Sequence, residues 1–197
     1  MVLRGLTIEG VSEGIHGISF LNGLALFVEN CQINRVTQQG INFQPSSSNG
    51  FLFVKDTTIH NNNFEKGGGI LIKPAAGASA EASLDRVRIE RNATGIKVED
   101  RAIVTLRDSV IARNTNEGLF AFSTAEAAAL NVESSMVTHN GVAGIRSDGG
   151  KATVRMAHTS LFNNKSGLVS LAGGDILSFG NNHNADSGVP TGTIAVQ

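Results

Sequence analysis

An all-β chain wound into a parallel β-helix of about eight coils is the fold this sequence predicts, and three columns of recurring residues predict it. An aliphatic or aromatic anchor returns every 22 to 30 residues, at Leu3, Val28, Val54, Leu84, Leu106, Val132, Met156 and Phe179. Five residues after each anchor stands Ile8, Ile33, Ile59, Ile89, Ile111, Val137 or Leu161, with the polar Asn184 in the last coil. The third column pairs glycine with an aliphatic residue: Gly17-Ile18, Gly40-Ile41, Gly69-Ile70, Gly95-Ile96, Gly118-Leu119, Gly144-Ile145 and Gly167-Leu168. Self-similarity at such a period is the mark of a stacked repeat.

Each unit holds three short segments that alternate apolar and polar residues, without the 3.6-residue period of a helix. The first runs through the anchor, as in Leu130-Asn131-Val132; the second reaches the Ile column, and the third follows the glycine. A unit this small cannot bury its apolar face alone, so every coil must lay its side chains over the coil below. Between the second and third segments a polar column occurs eight residues after the anchor, at Asn62, Asn92, Asn114, Asn140 and Asn164, with Val11, Val36 and Ser187 in the remaining coils. Stacked asparagines can form a ladder of amides that satisfies the main chain of a turn. Three residues after the anchor, Leu6, Cys31, Thr57, Val87, Ser109, Ser135 and Thr159 indicate a tight corner in which Cys31 is a packed thiol. Met1, Leu3 and Ile8 fall at core positions of a first coil that has no capping segment, and the expectation is self-association through this end, giving an end-to-end homodimer. Asn181 to Asp186, followed by Pro190, reads as a polar finish.

Composition narrows the function classes. Sixteen Lys and Arg against 17 Asp and Glu give a net charge of −1, which argues against a dedicated nucleic-acid binder. One cysteine rules out an internal disulfide or a cysteine zinc cluster, and the five histidines fall at unrelated repeat positions, so no metal site and no cofactor are expected. No apolar run is long enough to span a membrane, and the N-terminus carries no signal peptide. There is no Trp or Tyr to offer a sugar a flat face with a polar handle. Of the ten Phe, Phe20 and Phe43 fall at core positions, while Phe27, Phe53 and Phe120 look outward and Phe27 and Phe53 share a column.

Two columns carry the candidate chemistry. Directly after the anchor come Arg4, Glu29, Lys55, Asp85, Arg107 and Glu133, then Ala157 and Gly180. Neighbouring opposite charges fix the register of a solvated face. The sharper reading groups Asp85, Arg107 and Glu133, with Asn131, Arg155 and His158 nearby, as a catalytic groove for a sugar acid. In it a base takes a proton beside a carboxylate and a cation steadies the anion formed. Seven residues after the anchor stand Arg35, Asn61, Arg91, Arg113, His139 and Asn163; Arg35, Arg91, Arg113 and His139, together with Arg155, are candidate binding residues for a polyanion such as an acidic polysaccharide.

The asparagine column followed by Gly-Ile resembles the right-handed parallel β-helix of the pectate-lyase-like superfamily. More narrowly, residues 3–10, 67–72, 84–87 and 177–182 resemble a group of bacterial β-helix repeat proteins without an assigned activity. The resemblance spans the whole chain as one domain, 1–197, and implies a secreted or cell-envelope protein from which the N-terminal coils of the group are missing. It also implies where to look for a substrate, namely the outward face of the strand before the first short turn. The calcium-ligand cluster of pectate lyases is not found there. Nor are the four motifs of the β-helix polygalacturonases, Asn-x-Asp, Asp-Asp, Gly-His-Gly and Arg-x-Lys. A non-catalytic scaffold or interaction protein is therefore the expected function, with a polysaccharide lyase or glycoside hydrolase acting on an acidic polysaccharide as the alternative.

Overall fold

The computed structural model describes residues 1–46, 49–63 and 67–195. Their strands form three sheets of nine, eight and seven strands, and each strand pairs with the equivalent strand of the next coil. Every pairing is parallel; seven coils carry all three strands, an eighth lacks its third, and Gly192–Thr193 adds a ninth strand to the first sheet. The first coil comprises Val2–Arg4 in the first sheet, Thr7–Glu9 in the second and Ile18–Phe20 in the third.

The three predicted columns are physical stacks. In the first sheet Leu3, Val28, Val54, Leu84, Leu106, Val132 and Met156 are register partners in succession. In the second sheet the Ile8 to Leu161 column pairs likewise, and in the third the column from Ile18 to Leu168. The strand Ala102–Arg107 shows the cause, since its inward residues Ala102, Val104 and Leu106 are fully buried while those between them face solvent. Side chains from all three sheets meet in one continuous core.

Two corners per coil hold the sheets at fixed angles. The first turns on one left-handed residue, at Asn30, Asp56, Arg86, Asp108, Ser134 and His158, with φ between 48 and 51°. Beyond it runs a ladder of hydroxyls. Ser109 Oγ accepts from the Val87 amide at 3.1 Å and donates to the Arg107 carbonyl at 2.6 Å; Thr57 and Ser135 repeat the pattern. Cys31 fills the same place, its buried thiol donating to the Glu29 carbonyl at 3.3 Å. The second corner turns on Arg35, Asn61, Arg91, Arg113, His139 and Asn163, with φ of 55 to 59°. Next comes the asparagine ladder, in which each side-chain oxygen accepts from the backbone N–H and the amide of the preceding coil's asparagine, as Asn114 does from Asn92 at 3.0 and 3.3 Å. Left-handed backbone therefore belongs to the residue before each ladder asparagine.

Three expectations require correction. Met1, before the first strand, is 61% exposed and not in the core, whereas Leu3 and Ile8 hold their core columns and are half-buried there, because their strands have a neighbour on one side only. The ladder's last acceptor is Asp186, not Ser187: its Oδ2 lies 3.0 Å from the Asn164 nitrogen and 2.7 Å from Nδ2. In the last coil Met156 pairs with Ser178, so the inward anchor is Ser178, and Phe179 falls in the outward column beside Ala157 where Gly180 was expected. Gly180, with φ of 80°, makes the corner instead.

Candidate functional site

The outward face of the first sheet carries the charge column in the predicted register, Arg4, Glu29, Lys55, Asp85, Arg107, Glu133 and Ala157 being successive partners. The pairing of charges within it is uneven. Arg4 and Glu29 form an ion pair of 2.6 Å. Asp85 turns to the corner residue Arg86 at 2.8 Å and lies 3.6 Å from Arg107, which also reaches Asp108 at 3.5 Å. Arg86 grips Asp56 as well, and this side-chain hydrogen bond holds the Asp56 carboxyl below its ordinary range. Among the described residues Glu133, although beside Arg107 in register, forms no ion pair within 4.0 Å, and neither does Arg155. Of the proposed catalytic three, the structure stacks all in one column, brings the charges of Asp85 and Arg107 within 3.6 Å, and leaves Glu133, on the other side of Arg107, beyond ion-pair distance.

Glu133 opens instead onto a cleft of about 450 Å³ toward the C-terminal end of this face. Its origin is one small residue: Ala157 separates Glu133 from Phe179 in the outward column, leaving a notch a side chain deep. Arg155 and Asn131, register partners in the adjacent column, wall one side together with Thr105. His158 and Asn181, on the corner, wall the other. Asn181 is fixed by its Oδ1, which accepts from the His158 backbone N–H at 3.0 Å, so its Nδ2 faces His158 Nε2 at 3.2 Å. Nε2 accepts from this amide in the tautomer that carries its proton on Nδ1. Phe179 was not legible as part of a site because the single added corner residue of the last coil was not visible in the spacing.

The other candidate binding residues occupy the second corner, where their left-handed backbone makes the turn. Arg35 is held by Glu9 at 2.6 Å, Arg113 lies 3.9 Å from Glu90, and His139 Nδ1 is 2.8 Å from the Thr138 hydroxyl, so of these four only Arg91 is without a side-chain partner among the described residues. Phe27 and Phe53 stack as the sequence indicated, with centroids 4.7 Å apart, which turns their faces to each other. On the third sheet Phe120 stands between Lys97 and Arg146, whose charges lie 5.3 and 4.7 Å from its ring. Glu99 beside it is pushed up by burial, but the ammonium groups of Lys73 and Lys97, each at 2.8 Å, outweigh this and hold its carboxyl below the ordinary range. Cations stand on both sides of Phe120 and each is paired with an acid, although among the described residues Arg146 Nε is buried without a hydrogen-bond partner; the sequence reading placed Phe120 outward but did not join it to these cations. Among the described residues no group of three or more His, Cys, Asp or Glu is placed to hold a metal ion, and no helix is long and apolar enough to cross a membrane.

Parallel coils, a buried asparagine ladder and an outward groove define a β-helix repeat protein. The family described as right handed beta helix region matches residues 16–184, and the chain belongs to it. No curated protein and no solved structure matches the chain.

Proposed function

We propose that this protein is a non-catalytic β-helix interaction protein that holds a ligand against the outward face of its first sheet. The observation that supports this reading is the spending of Asp85 and Arg107 on each other and on Arg86 and Asp108, with Glu133 left on the far side of Arg107. An acid and a base must converge on one reacting bond to act together. Here the groups that would do so neutralise one another, as a register-fixing ladder does.

Turnover assays test the reading. Incubated with anionic polysaccharides, with and without calcium, the protein is expected to release neither ultraviolet-absorbing unsaturated products nor reducing ends, while affinity electrophoresis reports whether a polysaccharide is retained. Product formation that is abolished by Arg107→Ala overturns the proposal in favour of a lyase or hydrolase.

The first coil supports a second partner, another copy of the chain. Val2, Leu6, Val11, Ile15, Leu21 and Leu24 are all exposed there, beside strands with one open edge. Light scattering of the purified chain at micromolar concentration is expected to give the mass of a dimer; a stable monomer overturns the end-to-end pairing.

A further inference from the structure

We propose that the notch over Ala157 binds a small zwitterion, a molecule that carries a carboxylate and an ammonium group on one short frame and an apolar face beside them. The inference rests on the reading of the first sheet's outward face as a ligand-holding surface, and it names the ligand class.

The argument starts from charge. Arg155 and Glu133 line one cleft, carry opposite charges, and among the described residues neither has an ion pair or a side-chain hydrogen bond. Elsewhere in this column Arg4 closes on Glu29, and Asp85 and Arg107 close on each other and on corner residues, at 2.6 to 3.6 Å, while Lys55 forms no ion pair among the described residues but lines no cleft with an opposite charge. Glu133 and Arg155 do not close on each other, because they sit on the diagonal of adjacent strands, Glu133 beside Ala157 and Arg155 beside Asn131. Diagonal neighbours stand about 7–8 Å apart. That gap accommodates a ligand head group: its carboxylate lies in the guanidinium fork of Arg155, and its ammonium meets the Glu133 carboxylate. A ligand bearing negative charge alone would meet Glu133 as a like charge, and one bearing positive charge alone would meet Arg155 in the same way. Two charges of opposite sign on the ligand satisfy both walls.

The remaining walls set its body. Phe179, the side chain of Ala157 and the edge of Val132 form the apolar part of the cleft, which suits a flat or branched apolar group of the size of an amino-acid side chain. Asn131, Thr105 and Asn181 stand at the rim as hydrogen-bonding groups.

Three probes that share a benzyl group separate the possibilities: phenylalanine, which carries both charges, phenylacetate, which carries the negative one on a frame one carbon shorter, and phenethylamine, which carries the positive one. Titrated into the full chain at neutral pH and followed by calorimetry, phenylalanine is expected to bind at least about tenfold more tightly than either singly charged probe. Arg155→Ala is expected to remove its advantage over phenethylamine, and Glu133→Gln its advantage over phenylacetate. Both side chains point outward, so circular dichroism of the two variants should match the parent. Equal affinity for phenylalanine and phenylacetate, or no heat with any probe, overturns the proposal. If a polysaccharide is still retained in that case, the ligand-holding face stands and only the zwitterion falls; if nothing is retained, the reading beneath it falls as well.

Discussion

Gly95→Ala is expected to destabilise the β-helix by about 3 kcal/mol, at the upper end of what overpacking costs in a closely packed interior. The reason is space. Gly95 does not have a left-handed φ, so a side chain is not barred by its backbone conformation. A Cβ there would stand 2.4 Å from the Gly118 carbonyl, 2.8 Å from Ile111 Cγ2 and 3.0 Å from Asn114 Nδ2. Two of those three are a backbone oxygen and a ladder amide, which cannot move without disturbing the next coil. The same close approach recurs at Gly40, Gly69, Gly118 and Gly144, which is why glycine precedes the aliphatic residue in coil after coil. Gly150→Ala is the comparison, since the nearest atom to its Cβ is 3.9 Å away, and the change should stay within about 0.5 kcal/mol. Urea unfolding of the two variants measures both; equal midpoints would show that the glycine column is not packed against its neighbour.

Asn114→Ala is expected to cost about 3 kcal/mol as well, through hydrogen bonding. Asn114 is 1% exposed, and its Oδ1 is the acceptor for the Asn92 backbone N–H. Truncation leaves that N–H buried without a partner, a penalty of about 1–3 kcal/mol, to which the emptied space adds a further term. Asn140 keeps one of its two donors, the Asn114 backbone N–H at 3.1 Å, so damage should run toward the N-terminal side. Hydrogen exchange reads this direction: the Asn92 amide should lose protection first, with the coil of Asn140 less affected. Uniform loss of protection on both sides would mean that the ladder is not the polar, one-way chain of bonds described here.

The fold was legible because its information is one-dimensional. A coil contacts the coils on either side, so a residue type required once is required at the same place in each repeat, and the requirement surfaces as a column of letters. Leu106, Ile111 and Ile96 could be placed in the core of three different sheets from spacing alone, and the asparagines from Asn62 to Asn164 in one buried ladder. The corners were partly legible. The small-residue column from Cys31 to Thr159 signalled a tight turn, but its hydroxyl ladder was not foreseen. The column from Arg35 to His139, read as a basic stripe, makes the second bend with its backbone.

The candidate site was less legible because it depends on exceptions to the repeat. One extra residue in the last corner moves Phe179 from the inward column to the outward one, and spacing alone cannot say whether an insertion is absorbed in the strand or in the turn. Nor does register decide which charges pair. Glu29 closes on Arg4, whereas Glu133, in the same column beside Arg107, does not, because Arg107 turns toward Asp85 and Asp108.

By itself, then, the sequence determined the architecture: which residues stack, which face the core, and which turn carries the amides, since each follows from a local rule repeated along one axis. Only the tertiary structure decided where the face opens and which charges remain unspent. Those outcomes depend on the direction in which long, flexible side chains reach across strands, a choice made by all the neighbours together and written in no single column.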